Sequence, residues 1–278
     1  MTAPDRYAVI GNPIGHSRSP VIHRAFAAQT GQSLSYDALL GPLDGFTPFV
    51  RAFFAGGGRG LNVTLPFKEQ AYALCDVRSQ RAEQAGAVNT LLAGKDGRIY
   101  GDNTDGVGIV RDMTQNLGWT LAGKRVLMVG AGGAVRGVLG PLLAAGVASL
   151  AIVNRTPEKA EVLAALFRAS GAVSAVRYED IEPASVDVIL NGSSASLSGE
   201  LPPLPAGILA AGACAYDMAY GKGELPFMAW ARGQGAVAVA DGLGMLVEQA
   251  AESFFLWRQV RPETGPVLAM LREIVAQA

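Results

Sequence analysis

The sequence predicts an α/β protein built from two domains. Three observations lead there. The chain has 278 residues, more than one typical domain holds. Its N-terminal part alternates short apolar strands with helical patterns, as a mostly parallel sheet requires. Its middle sets a strand, a glycine turn, an apolar helix and a second strand in immediate succession.

Tyr7 to Ile10 is a first strand, stopped by Gly11-Asn12-Pro13. A helix from Ser19 to Gln29 follows, with Pro20 in its first turn and Val21, Ile22, Ala25 and Phe26 as an apolar face. Ser35 to Leu40 is a second strand and Phe46 to Ala55 a helix. Gly56-Gly57-Gly58 turns the chain into a third strand, Gly60 to Thr64, and a helix begins near Pro66. Two short strands are expected at Val88 to Ala93 and Arg98 to Tyr100. Asp105 suits the cap of a helix in which Val110, Met113 and Leu117 recur at helical spacing.

Arg125 to Val129 reads as a short buried strand, and Gly130-Ala131-Gly132-Gly133-Ala134 follows at once. The next helix carries Gly137, Gly140 and Pro141, so it should be bent or irregular. Ala151-Ile152-Val153 is the second strand of this unit, ending in Asn154-Arg155-Thr156. Towards the C-terminus a long helix is expected after Asp241-Gly242, with Leu246, Val247, Ala250, Phe254 and Trp257 on one side. A last helix should run from Gly265 to Ala276 on Val267, Met270, Leu271 and Ile274.

A glycine turn between a strand and a helix aims backbone N–H groups and the helix N-terminus at a pyrophosphate. The third glycine of the usual fingerprint is replaced by Val135, so the turn alone is equally a tight packing turn; its strand–helix–strand setting favours the nucleotide reading. An acid at the end of the next strand would hold the ribose 2′-OH of NAD. Arg155 stands there instead, and a guanidinium suits the 2′-phosphate of NADP.

Composition narrows the classes. Half of the chain (50%) is hydrophobic, enough for substantial cores, and the formal charge is −1. Without a basic stripe or a charge block, nucleic acid is not an expected partner. Cys75 and Cys214 form no disulfide framework, and the N-terminus lacks the plan of a signal peptide, so a cytoplasmic protein is expected. The apolar stretch from Val138 to Val153 contains Pro141 and Gly146, and reads as helix, turn and strand rather than a membrane span. Two histidines and two cysteines without ligand spacing give no metal site.

Several polar clusters interrupt segments that otherwise read as apolar core. They are Gly15-His16-Ser17-Arg18-Ser19-Pro20, Asn62-Val63-Thr64-Leu65-Pro66-Phe67-Lys68, Gly86-Ala87-Val88-Asn89-Thr90 and Gly101-Asp102-Asn103-Thr104-Asp105. Each has a plainer reading when taken singly. Ser17 or Ser19 suits a helix cap, Lys68 a solvated surface charge, and Asn89 and Asp105 turns or caps. Lys68 sits in the first turn of a helix, just after Pro66. The helix N-terminus beside Lys68 opposes a cation, whereas Asp105 favours one.

In their order along the chain, these clusters resemble the shikimate dehydrogenase family. So do Gly130 to Ala134, Asn154-Arg155-Thr156, Tyr216-Asp217-Met218-Ala219-Tyr220 and the run Asp241 to Ala250. The resemblance covers nearly the whole chain. It implies a shikimate-binding α/β domain over 1–105, completed by C-terminal helices in 242–278, and a Rossmann-like NADP-binding domain over 106–241. It also implies reversible hydride transfer between C3 of shikimate and NADP, giving 3-dehydroshikimate on the route to chorismate and aromatic amino acids.

By the same resemblance, Ser17, Ser19 and Tyr220 hold the carboxylate, and Thr64, Lys68, Asn89, Asp105 and Gln249 the ring hydroxyls. Lys68 and Asp105 are the catalytic pair. Gly130, Ala131, Gly132, Gly133 and Ala134 form the cofactor turn. Asn154, Arg155, Thr156 and Lys159 surround the adenosine phosphate, with Ser193, Met218 and Gly242 nearer the rest of the cofactor. Hinges are expected near Asp105–Val107 and Ala240–Gly242.

Three departures stand out: Arg24 for a common asparagine, Leu65 for valine, and Asn191-Gly192-Ser193-Ser194 for a usual Asn-Ala-Thr-Ser. None removes a proposed catalytic group. Two other readings stay open: a quinate/shikimate dehydrogenase using NAD, and a catalytically silent nucleotide-binding regulator on the same fold. The partners expected are small molecules, no membrane, and at most a second copy of the chain, as a monomer or a homodimer.

Overall fold

The computed structural model of the chain describes residues 3–277. The strands are β1 (Asp5–Gly11), β2 (Leu34–Leu40), β3 (Gly58–Val63), β4 (Val77–Arg78), β5 (Thr90–Ala93), β6 (Ile99–Asp102), β7 (Arg125–Val129), β8 (Ser149–Val153), β9 (Val173–Val176), β10 (Val186–Asn191), β11 (Leu209–Asp217) and β12 (Ala238–Ala240). The helices are α1 (Ser19–Thr30), α2 (Phe46–Ala55), α3 (Lys68–Leu74), α4 (Gln80–Ala85), α5 (Asp105–Arg111), α6 (Gly133–Ala144), α7 (Pro157–Phe167), α8 (Pro226–Gly233), α9 (Leu243–Arg258) and α10 (Gly265–Gln277). The chain divides into two compact units, one of Met1–Gly108 with Val247–Leu268 and one of Ile109–Leu246 with Ala269–Ala278.

The first unit holds a six-stranded sheet in the order β2-β1-β3-β5-β6-β4. β1 runs parallel to β2 and β3, whereas β5 runs antiparallel to both β3 and β6. This one reversal matters for the site. It brings the start of β5 to the same end of the sheet as the finish of β3 and β6, with Asn62 paired to Thr90 and Thr90 to Asp102. Side chains alternate across the strands. Ala8 and Ile10 of β1 join a core with Phe46, Leu61, Phe67 and Leu91, while Tyr7 and Val9 face Ile14, Tyr36 and Trp257.

The second unit holds a six-stranded sheet, order β12-β11-β10-β7-β8-β9, and every pairing in it is parallel. Both faces are covered, as parallel sheets require. Val126 and Met128 of β7 pack with α6 and α7, and Leu127 and Val129 with Phe227 and Ala231 of α8. Strand order reverses between β7 and β10, which makes this a Rossmann-like, doubly wound sheet with its ligand crevice expected beyond the ends of those two strands.

α6 carries Pro141 inside its span, where a proline late in a helix forfeits a single bond. Other local expectations are corrected. The helix at Asp105 is short and gives way to a π-helical turn, Asp112–Asn116. That turn keeps Asp112 buried, where its carboxylate accepts from Tyr216 Oη at 2.7 Å and Asn116 Nδ2 at 2.9 Å. Asp105 does not cap α5 with its side chain; Asn103 Oδ1 accepts the Asp105 N–H instead, at 3.2 Å. Among the described residues, no helix is long and apolar enough to cross a membrane.

Candidate active site

The polar ends of β1, β3, β5 and β6 gather at one edge of the first sheet. Gly11 closes β1 so tightly that a Cβ there would strike the Thr64 methyl, and the Asn12 N–H donates to the Leu65 carbonyl at 3.0 Å. The lysine turn thereby lies against the turn that leads to Ser17 and Ser19. Phe67, fully buried, anchors the start of α3 and holds Lys68 at its first residue. The Lys68 carbonyl in turn accepts from the Val88 N–H at 2.9 Å, which fixes the backbone ahead of Asn89.

Four proposed residues meet there. Lys68 Nζ donates to Asp105 Oδ2 at 2.6 Å, and Asn89 Nδ2 donates to Asp105 Oδ1 at 2.8 Å. Asn89 and the Thr104 hydroxyl each reach Gln249 Oε1 at 3.4 Å. The Asp105 side chain is 11% exposed and that of Lys68 24%, so the pair sits in a half-open recess rather than on a solvated face.

Ser17 and Ser19 flank the start of α1, and Ser17 Oγ accepts from the Ser19 N–H at 3.3 Å. α1 has no side-chain cap from Arg18; Pro20 carries no N–H, and the Val21 and Ile22 N–H groups both donate to the Arg18 carbonyl at 3.1 Å. Thr64 is half-buried, with its methyl against Gly11. Tyr220 follows β11 in the other unit. His16 is exposed. His23 is fully buried and stacked on Tyr36 at 4.2 Å, and burial pushes its pKa down to about 3, so it stays neutral and takes no acid–base part.

In the second unit, Gly130 takes φ +109°, which favours glycine, and its Cα faces the backbone of Gly192 and Ser193. The ends of β7 and β10 therefore touch at the switch point. α6 has no side-chain cap, and a Cβ at Gly132 or Gly133 would meet nothing within 4 Å. That open cradle, with Ala131 and Ala134 beside it, fits a pyrophosphate. Arg155, Thr156 and Lys159 are exposed at the start of α7, with Asn154 half-buried before them. Two exposed cations and a hydroxyl at this point fit a phosphate monoester.

The far side of the cradle is held by residues without a role in the sequence reading. Asp217 is fully buried, accepts from Asn191 Nδ2 at 3.1 Å and from the Ala219 N–H at 2.9 Å, and burial pushes its carboxyl up. Asn191 Oδ1 accepts from both the Ser193 N–H and hydroxyl, at 3.1 and 2.7 Å, and the Asn191 carbonyl takes the Met218 N–H. Gly242 abuts the Met218 backbone too closely to carry a Cβ. Ser193, Met218 and Gly242 are thus tied together by Asn191 and Asp217. In the first unit Asn62, Thr90, Thr104 and Ser253 are likewise unassigned by the sequence, though all are buried beneath Asn89. The amide of Asn62 inside an apolar strand is a signal in the sequence, and the three hydroxyls give none.

Comparison with known proteins gives these sites a family. Three family models match: the shikimate dehydrogenase substrate binding domain over residues 9–91, shikimate/quinate 5-dehydrogenase over 112–198, and the shikimate 5′-dehydrogenase C-terminal domain over 242–272. A shikimate dehydrogenase (NADP(+)) of Alkalilimnicola ehrlichii is 60% identical over 96% of this chain and 98% of its own length. The crystal structure of an Ael1 enzyme from Pseudomonas putida is 50% identical, with a TM-score of 0.92 over 96% of this chain and 98% of the other. Shikimate 5-dehydrogenase from Thermus thermophilus, solved with NADP(H) and shikimate, is 33% identical, with a TM-score of 0.84 over 97% of this chain and 99% of the other. The paired lysine and aspartate, the glycine cradle and these matches along the whole chain converge: it belongs to the shikimate dehydrogenase family.

Proposed function

We propose that the chain catalyses the reversible reduction of 3-dehydroshikimate to shikimate with NADPH, in the cytoplasm, as a step towards chorismate and the aromatic amino acids. The observation that carries the reading is the Lys68–Asp105 contact at 2.6 Å, with Asn89 on the other oxygen of the same carboxylate. The cofactor supplies the hydride acceptor at C3. As the neutral amine, Lys68 Nζ takes the proton of the C3 hydroxyl as that hydride leaves and becomes the ammonium, and it returns the proton in the reverse direction. Asp105 holds Lys68 in place and, with Asn89, Thr64 and Gln249, binds the ring hydroxyls.

Ser17, Ser19 and Tyr220 hold the carboxylate through their hydroxyls. Gly130 to Ala134 hold the pyrophosphate. Asn154, Arg155, Thr156 and Lys159 hold the 2′-phosphate end, and Ser193, Met218 and Gly242 the nicotinamide end. The protein acts as a monomer or a homodimer; neither form alters these assignments. Quinate with NAD is the second reading, and Arg155 where an acid would hold a free 2′-OH speaks against it.

The test is an assay of the purified protein with shikimate and quinate, each against NADP and NAD. Shikimate with NADP should give the highest kcat/KM. A preference for quinate with NAD would move the chain to the other branch, and no turnover with any pair would make it a silent binder.

A further inference from the structure

Beneath Asn89 lies a chain of buried hydrogen bonds that ends on Asp105. Two backbone groups fix its direction. The Thr104 N–H can only donate, and it meets the Asn89 side chain at 2.9 Å, so that atom is Oδ1 and the amide nitrogen faces Asp105. The Asn89 carbonyl can only accept, and it meets the Asn62 side chain at 3.2 Å, so that atom is Nδ2 and Asn62 Oδ1 faces Tyr36. Tyr36 is fully buried and burial holds its phenol protonated, so it donates, at 2.7 Å.

Between these fixed ends stands Thr90. Its Oγ1 accepts from Asn62 Nδ2 at 3.2 Å and donates to Asn89 Oδ1 at 2.8 Å. Ser253 of α9 braces it at 2.7 Å and accepts from Asn62 Nδ2 at 2.9 Å. Every link from Tyr36 through Asn62, Thr90 and Asn89 then points its hydrogen towards the Asp105 carboxylate. A flipped Asn89 amide would set its oxygen against that carboxylate, leave the Thr104 N–H facing a donor, and turn the amide nitrogen away from Asp105. A buried donor or acceptor left in that state costs its full desolvation.

We infer that Thr90 is a positioning residue for the reaction: its hydroxyl, braced by Ser253 and polarised by Asn62, locks the Asn89 amide so that Asp105 is held to receive Lys68 and the substrate hydroxyls. This rests on the site roles proposed above. Thr90 touches no substrate, and it acts through Asn89 alone.

The experiment compares Thr90→Val, Thr90→Ser, Asn89→Ala and the double variant Asn89→Ala/Thr90→Val, with shikimate and NADP varied separately and melting followed by circular dichroism. Thr90→Val keeps the shape and removes the hydroxyl, and should lower kcat/KM for shikimate about tenfold while KM for NADP stays within about twofold. Thr90→Ser should return kcat/KM to within about twofold of wild type. In the Asn89→Ala background, Thr90→Val should cost nothing further, since the link it serves is gone.

An impaired Asn89→Ala with a near-normal Thr90→Val would overturn the inference and leave the site assignment standing. Losses that multiply in the double variant would also overturn it, because they place Thr90 outside the Asn89 pathway. A normal Asn89→Ala would sink the site assignment itself, and this inference with it. Should Thr90→Val fail to fold, Ser253→Ala serves in its place. It should lose about threefold in kcat/KM alone and nothing in the Asn89→Ala background, and any other pattern counts against the inference.

Discussion

In the reaction we propose, the hydrogen-bonded pair Lys68 and Asp105 acts as one acid–base unit, and its variants should behave as one. Lys68→Ala should leave shikimate binding within a few-fold yet lower turnover by ~10²–10⁴, the range for a lost general acid–base. Asp105→Asn should also cut turnover, and the double variant should lose less than the two losses multiplied; full multiplication in single-turnover rates would separate the pair. At the other end, Arg155→Ala should raise KM for NADP by ~10–100-fold and barely move that for NAD, as removal of a charge-assisted bond does. Equal changes with both cofactors would take Arg155 off the 2′-phosphate. The sequence marks Lys68, Asn89 and Asp105 because each lies in a polar cluster where the pattern calls for core, whereas Gln249 enters only through the family resemblance. It does not distinguish Thr90 or Ser253, because a hydroxyl on a strand or helix reads the same whether it is exposed or buried in a network. The cap expected of Asp105 fails for a related reason: the carboxylate has stronger partners in Lys68 and Asn89, and the neighbouring Asn103 is free to cap.

At the scale of elements, two departures from the usual pattern explain each other. Val135 occupies the position where the fingerprint has its third glycine, and its Cγ2 stands where a Cβ of Gly192 would be, with Met218 Sδ only 2.9 Å from that same point. The end of β10 is therefore glycine because the start of α6 is valine. Gly192→Ala should destabilise the protein by ~1–3 kcal/mol through overpacking and raise KM for NADP, since Ser193 and Met218 would shift. Adding Val135→Ala should recover part of that loss, so urea unfolding of the double variant should show less than the summed cost. Strictly additive costs would mean the two residues do not compete for space. β7 and β8 are legible as apolar runs flanking a glycine turn. β9, β11 and β12 are not, because β9 is short and alanine and serine interrupt it, β11 is rich in alanine, and β12 has three residues. These strands exist because the parallel sheet pairs them, which overrides weak local preference.

For the whole molecule, the sequence shows the fold class and the return of the C-terminal helices; it gives no warning that His23 is entombed. Unfolded, His23 titrates near its ordinary 6.5, whereas folded it is held to about 3 by burial among Tyr36, Phe26, Phe254 and Trp257. Between those values the unfolded chain binds a proton that the folded chain refuses. Stability is therefore complete above about pH 6.5 and falls as the pH drops towards 3, by up to ~1.4 kcal/mol per unit. The raised carboxyl of Asp217 works the opposite way just above its ordinary 3.8. Urea unfolding of wild type should lose ~2 kcal/mol between pH 7 and pH 5, and His23→Leu should flatten that slope. An unchanged slope in the variant would assign acid sensitivity to other groups.

The discontinuous first unit has a consequence for how the protein is made. A ribosome delivers β1 to β6 first, but the cover for Tyr7, Val9 and Tyr36 includes Trp257, and the partners of Asp5, Asn62 and Leu91 include Arg258, Ser253 and Trp257. Those residues leave the exit tunnel only after the entire second sheet has been synthesised. The half of the chain born first is thus the half finished last, and it waits with an open aromatic face and an unanswered polar row. A nascent chain stalled after Leu246 should be cut by protease within 1–108 while 109–246 resists, and chaperones that grip exposed apolar strands should find their binding sites in the N-terminal sheet. Equal resistance of both segments would show that β1 to β6 close without α9.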